Sequence, residues 1–149
     1  VMVDVGDKAI TRRMAKARAV LLLPAEVLEH FERGDIQTAK GAVFQTAILA
    51  GIMGAKKTGE LIPLCHPLGL DNCQIHINLT EKQEVVVECL ATNSGKTGVE
   101  MEALTGAALA ALTIYDMCKA FSHHIVIKEV RLLEKTGGKK DFKFSAEDS

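Results

Sequence analysis

The sequence is poor in aromatic residues and carries almost no net charge. It contains no Trp, one Tyr and five Phe in 149 residues, so little aromatic surface is available for bases to stack on. Its 18 Lys and Arg residues are balanced by 19 Asp and Glu residues, which gives a formal net charge of −1. Without an excess of cations to neutralise phosphates, the chain is not expected to bind nucleic acid.

Long apolar runs are also absent. No stretch of about 18 apolar residues occurs, so we expect no membrane-spanning helix. Asp4 and Asp7 interrupt the first residues, which argues against a secretory signal peptide. Val1 is not a start residue, and we expect the native chain to begin earlier.

The four cysteines, at positions 65, 73, 89 and 118, show neither the paired spacing of a metal site nor a secretory context. We therefore expect reduced thiols, a cytoplasmic location and no metal held by the protein. The hydrophobic content of 48% and charged content of 25% are typical of one globular domain. We expect that domain to cover residues 1–149, with flexible ends at 1–2 and 143–149.

Hydrophobic patterning predicts the order of helices and strands. Strands are predicted at 9–23, 74–80, 84–90 and 125–134. Helices are predicted from Pro24 to about Arg33, closed by Gly34, and at 41–57 and 97–120. This order matches a split β-α-β-β-α-β arrangement, an α+β fold with helices on one face of an antiparallel sheet. Gly51 and Gly54 each cost helix 41–57 about 1 kcal/mol relative to Ala, which suggests close backbone packing there.

The segment 94–102 joins a strand to the long helix. Its Ser94-Gly95-Lys96-Thr97 run is not a phosphate loop, because that motif requires Gly at position 90, where this sequence has Leu. The helix start still offers free N–H groups to an anion. Thr97 and Glu100 fit a capping box, which leaves Glu100 either structural or functional. Glu102 has no such structural reason to be in an apolar helix.

Charged residues stand at both ends of helix 97–120. Glu102 and Asp116 share one helical face but lie roughly 21 Å apart along the axis, so they cannot both touch one reacting atom. Either the ligand is long, or two antiparallel copies of this helix share each site. We favour a site that straddles a two-fold interface. Asp116 and Lys119 are neighbours on the helix, either as a surface ion pair or as a general acid/base tuned by a cation.

A loop between two prolines carries the candidate histidine. Pro63 and Pro67 flank Leu64-Cys65-His66 and stiffen the loop, so His66 is either plain loop structure or a fixed site residue. A metal site at Cys65 and His66 is rejected because no partner pair has the required spacing. Lysines cluster at 40, 56–57 and 135–140, either as phosphate-binding loops or as solvated basic loops.

Together these segments resemble the cyclic pyranopterin monophosphate synthase family, that of molybdenum cofactor biosynthesis protein C. The resemblance runs from Met2 to Phe142 and is carried most specifically by residues 61–68, 96–105 and 110–120. It implies a ferredoxin-like α+β subunit in a homohexamer, a trimer of dimers with active sites at the dimer interfaces. It also implies a lyase that converts (8S)-3′,8-cyclo-7,8-dihydroguanosine 5′-triphosphate to cyclic pyranopterin monophosphate with release of pyrophosphate.

The resemblance also implies roles for single residues. Asp116 matches the principal acid/base, and Lys119 matches its partner. The implied substrate-binding residues are Leu64, Cys65, His66, Glu100, Met101 and Glu102, with Lys40, Arg13 and Lys135 near the phosphates. One position departs from the pattern, because the family usually has Asp after Lys-Gly and this chain has Ala42. If that Asp orients the lysine, Lys40 is less constrained here.

Two other classes of function stay open at this point. A non-catalytic pterin- or nucleotide-binding subunit is disfavoured by the Asp116/Lys119 pair and by Glu102, because a pure binder of a polyanion gains nothing from buried carboxylates. A purely structural oligomeric module is compatible with the Gly/Ala-rich helices alone. For the lyase, we expect no cofactor apart from Mg²⁺ arriving with the triphosphate. We also expect a small-molecule substrate and a transient contact with the upstream radical enzyme.

Overall fold

The fold is an antiparallel sheet with two main helices packed on it. A computed structural model describes residues 1–148. The strands are β1 (Thr11–Leu22), β2 (Phe31–Glu32), β3 (Asp35–Thr38), β4 (Gly41–Ala42), β5 (Asn72–Leu79), β6 (Glu84–Gly95), β7 (Val126–Thr136) and β8 (Phe142–Lys143). The helices are α1 (Ala25–Leu28), α2 (Val43–Lys56), α3 (Thr58–Leu61) and α4 (Glu100–Cys118), followed by a 3₁₀ turn at Ala146–Asp148.

The main sheet has the order β5-β6-β1-β7-β8, and a small sheet has the order β2-β3-β4. All pairings in the main sheet are antiparallel. The strands β5-β6-β1-β7 with α2 and α4 reproduce the predicted split β-α-β-β-α-β arrangement. The predicted α+β class is therefore confirmed, and the arrangement is consistent with a ferredoxin-like fold.

The central strand uses very small residues where it meets the helices. Ala15, Ala17, Ala19 and Leu21 alternate along β1 and are all fully buried, as expected when every second side chain of a strand faces the core. The alanines leave room for α4 to lie close to the sheet.

The predicted close packing around the helix glycines is confirmed. A Cβ at Gly51 would lie 2.7 Å from the carbonyl oxygen of Gly106 on α4 and 2.3 Å from Cδ1 of Ile75 on β5. A Cβ at Gly54 would lie 2.9 Å from Cγ of Leu109. Helices α2 and α4 therefore meet backbone to backbone, at a distance that alanine would not allow.

The helix predicted from Pro24 to Arg33 is wrong beyond its first turn. Only α1 forms, and the chain then turns back as the hairpin β2–β3. Arg33 and Gly34 have φ angles of 53° and 80°, the left-handed pair that a two-residue hairpin turn requires. Gly34 thus makes a hairpin turn, whereas the sequence suggested a helix end.

The other predicted elements are present with shifted ends. Strands β5 and β6 form the predicted hairpin and are longer than expected, and β7 follows α4 as expected. Within residues 1–148, no helix is long and apolar enough to cross a membrane. The single-domain extent and the flexibility of both chain ends stay predictions, and Ser149 lies outside the described residues.

Candidate active site

Asp116 lies between two lysines near the C-terminal end of α4. Its Oδ1 lies 2.9 Å from Nζ of Lys119 on the next helical turn, and its Oδ2 lies 3.3 Å from Nζ of Lys40. Hydrogen bonds from Lys119 and then Lys40 hold the pKa of Asp116 below its usual range, because they favour the charged form. The same contact raises the pKa of Lys119. Asp116 is therefore a carboxylate at neutral pH, able to accept a proton.

These three side chains line an open cavity of about 430 Å³. The cavity is also lined by Thr38, Ala39, Met117, Ala120 and Phe121. His123 also lines the cavity, and sequence reasoning missed it because no motif or spacing ties it to Asp116. A cavity of this size accommodates part of a nucleotide-sized ligand.

The turn between β3 and β4 presents Lys40 to Asp116. The hydroxyl oxygen of Thr38 accepts a hydrogen bond from the Lys40 N–H at 3.1 Å, and the hydroxyl donates to the carbonyl oxygen of Gly41 at 3.0 Å. Gly41 has a φ angle of 116°, a backbone conformation that favours glycine. Local hydrogen bonds thus shape the loop from which Lys40 extends.

Asp35 holds this loop in place through backbone hydrogen bonds, and sequence reasoning also missed it. Its Oδ1 accepts hydrogen bonds from the N–H groups of Ile36 at 2.6 Å and Phe44 at 2.7 Å, and its Oδ2 accepts one from Gln45 at 3.3 Å. Phe44 and Gln45 lie in the first turn of α2, where N–H groups lack helical partners. Ala42 occupies the N-cap position and makes no side-chain hydrogen bond. The buried Asp35 therefore caps α2 from eight residues upstream, despite the departure at Ala42.

Glu102 lies in the first turn of α4, in a very different environment. Its side chain is only 2% exposed, and its Oε1 has no hydrogen-bond partner among the described residues. Burial, followed by the nearby Glu100, raises the pKa of this carboxyl, since a low-polarity environment disfavours the charged form. Burial thus shifts the Glu102 carboxyl toward its neutral form relative to an exposed carboxyl.

The proposed capping box at the start of α4 is wrong. The helix begins at Glu100, and its N-cap residue is Val99, so Thr97 lies too early to cap it. The Thr97 hydroxyl instead donates to the carbonyl oxygen of Gly98 at 3.4 Å. Glu100 is left free to face Lys135, with 3.7 Å between Oε2 and Nζ.

Glu100 and Lys135 belong to a basic pocket of about 250 Å³. The charged residues that line it are Lys8, Arg13, Glu100, Lys135, Lys139 and Lys140. Arg13 is 6% exposed, and its Nε donates to the carbonyl oxygen of Gly95 at 3.0 Å. Two predicted phosphate-binding residues, Arg13 and Lys135, therefore meet in one pocket. Lys139 and Lys140 of the predicted 135–140 lysine cluster also line it, together with Lys8, which the sequence did not single out.

The Pro-flanked loop lies near the same end of α4. The pKa of Cys65 is raised, first by burial and then by the charges of Glu102 and Glu100. His66 is half-buried, and its Nε2 forms a hydrogen bond with the carbonyl oxygen of Val3. Leu64 and, on α4, Met101 are exposed.

The structure therefore divides the predicted residues into two clusters. Lys40, Asp116 and Lys119 form one at the end of α4, and Arg13, Glu100 and Lys135 form the other at its start, close to the Glu102 and Cys65 region. Within one chain they do not meet. No group of three or more His, Cys, Asp or Glu side chains among residues 1–148 is arranged to hold a metal ion.

Comparison with known proteins decides the family. A family model described as the MoaC family matches residues 2–138. The chain belongs to the MoaC family. This membership confirms the family predicted from residues 61–68, 96–105 and 110–120.

Several curated relatives in the MoaC family are similar over most of the chain. One is a cyclic pyranopterin monophosphate synthase of Xanthomonas axonopodis pv. citri, 49% identical over 94% of this chain and 85% of the relative. Molybdenum cofactor biosynthesis protein 1 of Dictyostelium discoideum is 47% identical, and its Drosophila melanogaster counterpart is 51% identical. The chain spans 24% and 25% of the lengths of these two proteins, so it corresponds to one part of them.

Proposed function

We propose that this chain converts (8S)-3′,8-cyclo-7,8-dihydroguanosine 5′-triphosphate to cyclic pyranopterin monophosphate and pyrophosphate. The MoaC chain is an enzyme of molybdenum cofactor biosynthesis, a lyase like the synthases that it resembles. The observation that carries the proposal is the Asp116 carboxylate, held between Lys40 and Lys119 at the mouth of a cavity. This is a base and two cations arranged around an open volume.

The reaction requires proton transfers and the stabilisation of negative charge. The guanine-derived ring must open and re-close as a pterin, and an oxygen nucleophile must attack the α-phosphate to form the cyclic ester. Asp116 is the principal proton acceptor, with Lys119 as its partner. Arg13 and Lys135 bind the phosphates, where charge-assisted hydrogen bonds hold the substrate and stabilise the departing pyrophosphate.

Glu102 acts in this scheme as a neutral acid. Its burial favours the protonated carboxyl, which can donate a hydrogen bond to a ring nitrogen or carbonyl of the substrate. Cys65 and His66, with Leu64 and Met101, complete the surface that contacts the ring system. Glu100 bridges this surface to the phosphates through Lys135.

The separation of the two clusters supports a site shared between two copies of the chain. About 21 Å of helix separates Glu102 from Asp116, so the Asp116 cluster of one copy would meet the basic pocket of another. The helix layer also exposes the large apolar residues Leu49, Met53 and Leu112, at 60%, 50% and 53%, as expected of a surface that a partner covers. We propose dimers with shared sites, assembled as a homohexamer.

We further propose a cytoplasmic enzyme without a resident metal or cofactor. Mg²⁺ accompanies the triphosphate as part of the substrate, since Mg²⁺ commonly binds through substrate phosphates. The substrate is unstable, so we also propose a transient contact with the upstream radical enzyme that supplies it.

Single-turnover conversion of the cyclised dihydro-GTP tests the function, with pyrophosphate and the pterin product both measured. We expect turnover by the wild type and a loss of about 10²–10⁴ in Asp116→Asn. Turnover by both proteins would show that the chain is an enzyme whose acid/base residue is not Asp116 but Lys119, His66 or Glu102. Tight binding without turnover in either would favour the alternative, a pterin- or nucleotide-binding subunit. Absence of both turnover and binding would leave only a structural module.

A further inference from the structure

Two cysteines outside the candidate site lie in contact between neighbouring strands. Sγ of Cys73 on β5 lies 3.7 Å from Sγ of Cys89 on β6. In the strand register Cys73 is opposite Ala91 and Cys89 is opposite Ile75, so the two cysteines are diagonal neighbours on one face. That face is the one covered by the helices, where Ile75 and Cys89 are buried.

The two thiols differ in access. Cys73 is half-buried and lines an open cleft of about 250 Å³, together with Lys56 and Asp71. Cys89 is fully buried, and its sulfur lies against α4, where a Cβ at Gly106 would come within 2.6 Å of it. A small reagent in the cleft can therefore reach Cys73, whereas Cys89 is fully buried behind it on the neighbouring strand.

The pKa shifts of the two thiols also distinguish Cys73 from Cys89. The hydrogen bond with Cys89 lowers the pKa of Cys73, with a smaller contribution from Lys56, and together they outweigh the effect of burial. The same hydrogen bond, with burial, raises the pKa of Cys89, and either sulfur can be the donor in this contact. The pKa values of Cys65 and Cys118 are both raised. Thiolates are the reactive form, which sets Cys73 apart from the other three.

We propose that Cys73 and Cys89 form a redox-active thiol pair, in which Cys73 reacts with a peroxide and Cys89 resolves the product as a disulfide. The Cys73 thiolate attacks one peroxide oxygen, the O–O bond breaks, and hydroxide leaves as Cys73 becomes a sulfenic acid. The Cys89 thiol then displaces water from this sulfenic acid and forms the S–S bond. The hydroxide takes up the proton that Cys73 released on ionising, so hydrogen peroxide is reduced to two molecules of water while the two cysteines are oxidised by two electrons in total.

Closure requires a small movement of the sheet. Diagonal residues on paired strands have Cα atoms about 7–8 Å apart, slightly wider than the usual range of disulfides. Among residues 1–148, strand β5 is at the edge of the main sheet and pairs only with β6, so it can move toward Cys89. A disulfide formed under such strain is readily reduced by thiols, which suits a reversible modification and not a permanent crosslink.

Peroxide treatment of the full chain, followed by mass spectrometry, tests the proposal. Cleavage with trypsin and Asp-N separates the four cysteines into peptides 58–70, 71–82, 83–96 and 116–119. We expect peptides 71–82 and 83–96 to become linked, with the loss of two hydrogen masses, and dithiothreitol to release them. Two of the four thiols should be lost, while those of Cys65 and Cys118 remain.

Single substitutions separate the two roles. Cys89→Ala should leave a sulfenic acid on Cys73 that dimedone traps, and Cys73→Ser should remove both the disulfide and the dimedone adduct. Cys65→Ser is the matched control and should react like the wild type. The proposal is overturned if the crosslink involves Cys65 or Cys118, if Cys73 is oxidised to sulfinic acid while Cys89 stays free, or if no peptide reacts in a folded wild-type protein.

Discussion

The two ends of α4 place carboxylates in opposite environments. Asp116 is about half exposed, at 52%, and contacts two ammonium groups. Glu102 is 2% exposed, and its Oε1 has no hydrogen-bond partner among residues 1–148. The pKa of the first is lowered and that of the second is raised. The pKa values of two acidic side chains on one helix are thus shifted in opposite directions, that of Asp116 toward the carboxylate form and that of Glu102 toward the neutral acid.

The largest expected effect is the difference in activity between isosteric substitutions of Asp116 and Glu102. Asp116→Asn removes the proton acceptor, and we expect kcat to fall by about 10²–10⁴. Glu102→Gln keeps a neutral side chain that can still donate a hydrogen bond, so we expect it to retain most of kcat. Steady-state kinetics of both variants measures the difference. Equal losses would show that Glu102 also works as a carboxylate, and the contrast between the two ends would fail.

Mixing two inactive variants tests whether the ends of α4 meet across an interface. In a dimer of Asp116→Ala with Glu102→Ala, one shared site carries both substitutions and the other carries neither. Random pairing makes half of the dimers mixed, so about a quarter of wild-type activity should return. Activity is measured after the two variants are unfolded and refolded together. No recovery above either variant alone would place each site within one chain, and co-refolded wild type controls for losses.

The sequence predicts the elements with long, regular patterns better than it predicts the contacts between them. Helices α2 and α4 and the hairpin β5–β6 follow from periodicity, because each buries a continuous face. The hairpin at Gly34 was mistaken for the end of a helix, because glycine serves both structures.

The contacts that organise the site depend on distant parts of the chain. Lys40 and Asp116 are 76 positions apart, and nothing local indicates that they pair. Asp35 lies upstream of the N-cap position of α2, Ala42, so its capping role is seen only in the folded structure. The residue types at the site could be predicted, but the raised pKa of Glu102 could not, since it results mainly from burial by distant parts of the chain.

The β3–β4 loop that carries Lys40 should become less stable when the buried Asp35, which holds it in place, is removed. Asp35→Ala leaves the buried N–H of Phe44 without its acceptor, and we expect a loss of about 1–3 kcal/mol in the free energy of unfolding. KM should rise with it, because the loop that carries Lys40 loosens. Adding Ala42→Asp supplies a normal N-cap, which should recover about 0.5–2 kcal/mol.

Urea denaturation and KM of the single and double variants provide the comparison. Ala42→Asp alone, in the presence of Asp35, is the matched control and should change little. If the double variant is no more stable than Asp35→Ala, then Asp35 acts through something other than capping α2.

The smallest expected effect is on the pH dependence of stability, and it has opposite signs at the two ends. A raised pKa means that folded Glu102 binds more protons than the unfolded chain, so its contribution to stability is present below the unfolded value, about 4.3, and is lost as pH rises through the folded value. Glu102→Gln has no carboxyl to ionise, so its free energy of unfolding should decline less than that of wild type as pH rises. The variant should therefore gain stability relative to wild type toward neutral pH. Asp116 has a lowered pKa, so its contribution to stability is present above the unfolded pKa value and is lost as pH falls through the folded value. Asp116→Asn should therefore be less stable than wild type near neutral pH, and this difference in stability should become smaller in acid. Urea midpoints between about pH 2 and pH 8, a range that extends below the unfolded pKa values of both carboxyls, measure both slopes. Parallel slopes for the two variants would mean that α4 does not shift the pKa values of its two carboxyls in opposite directions.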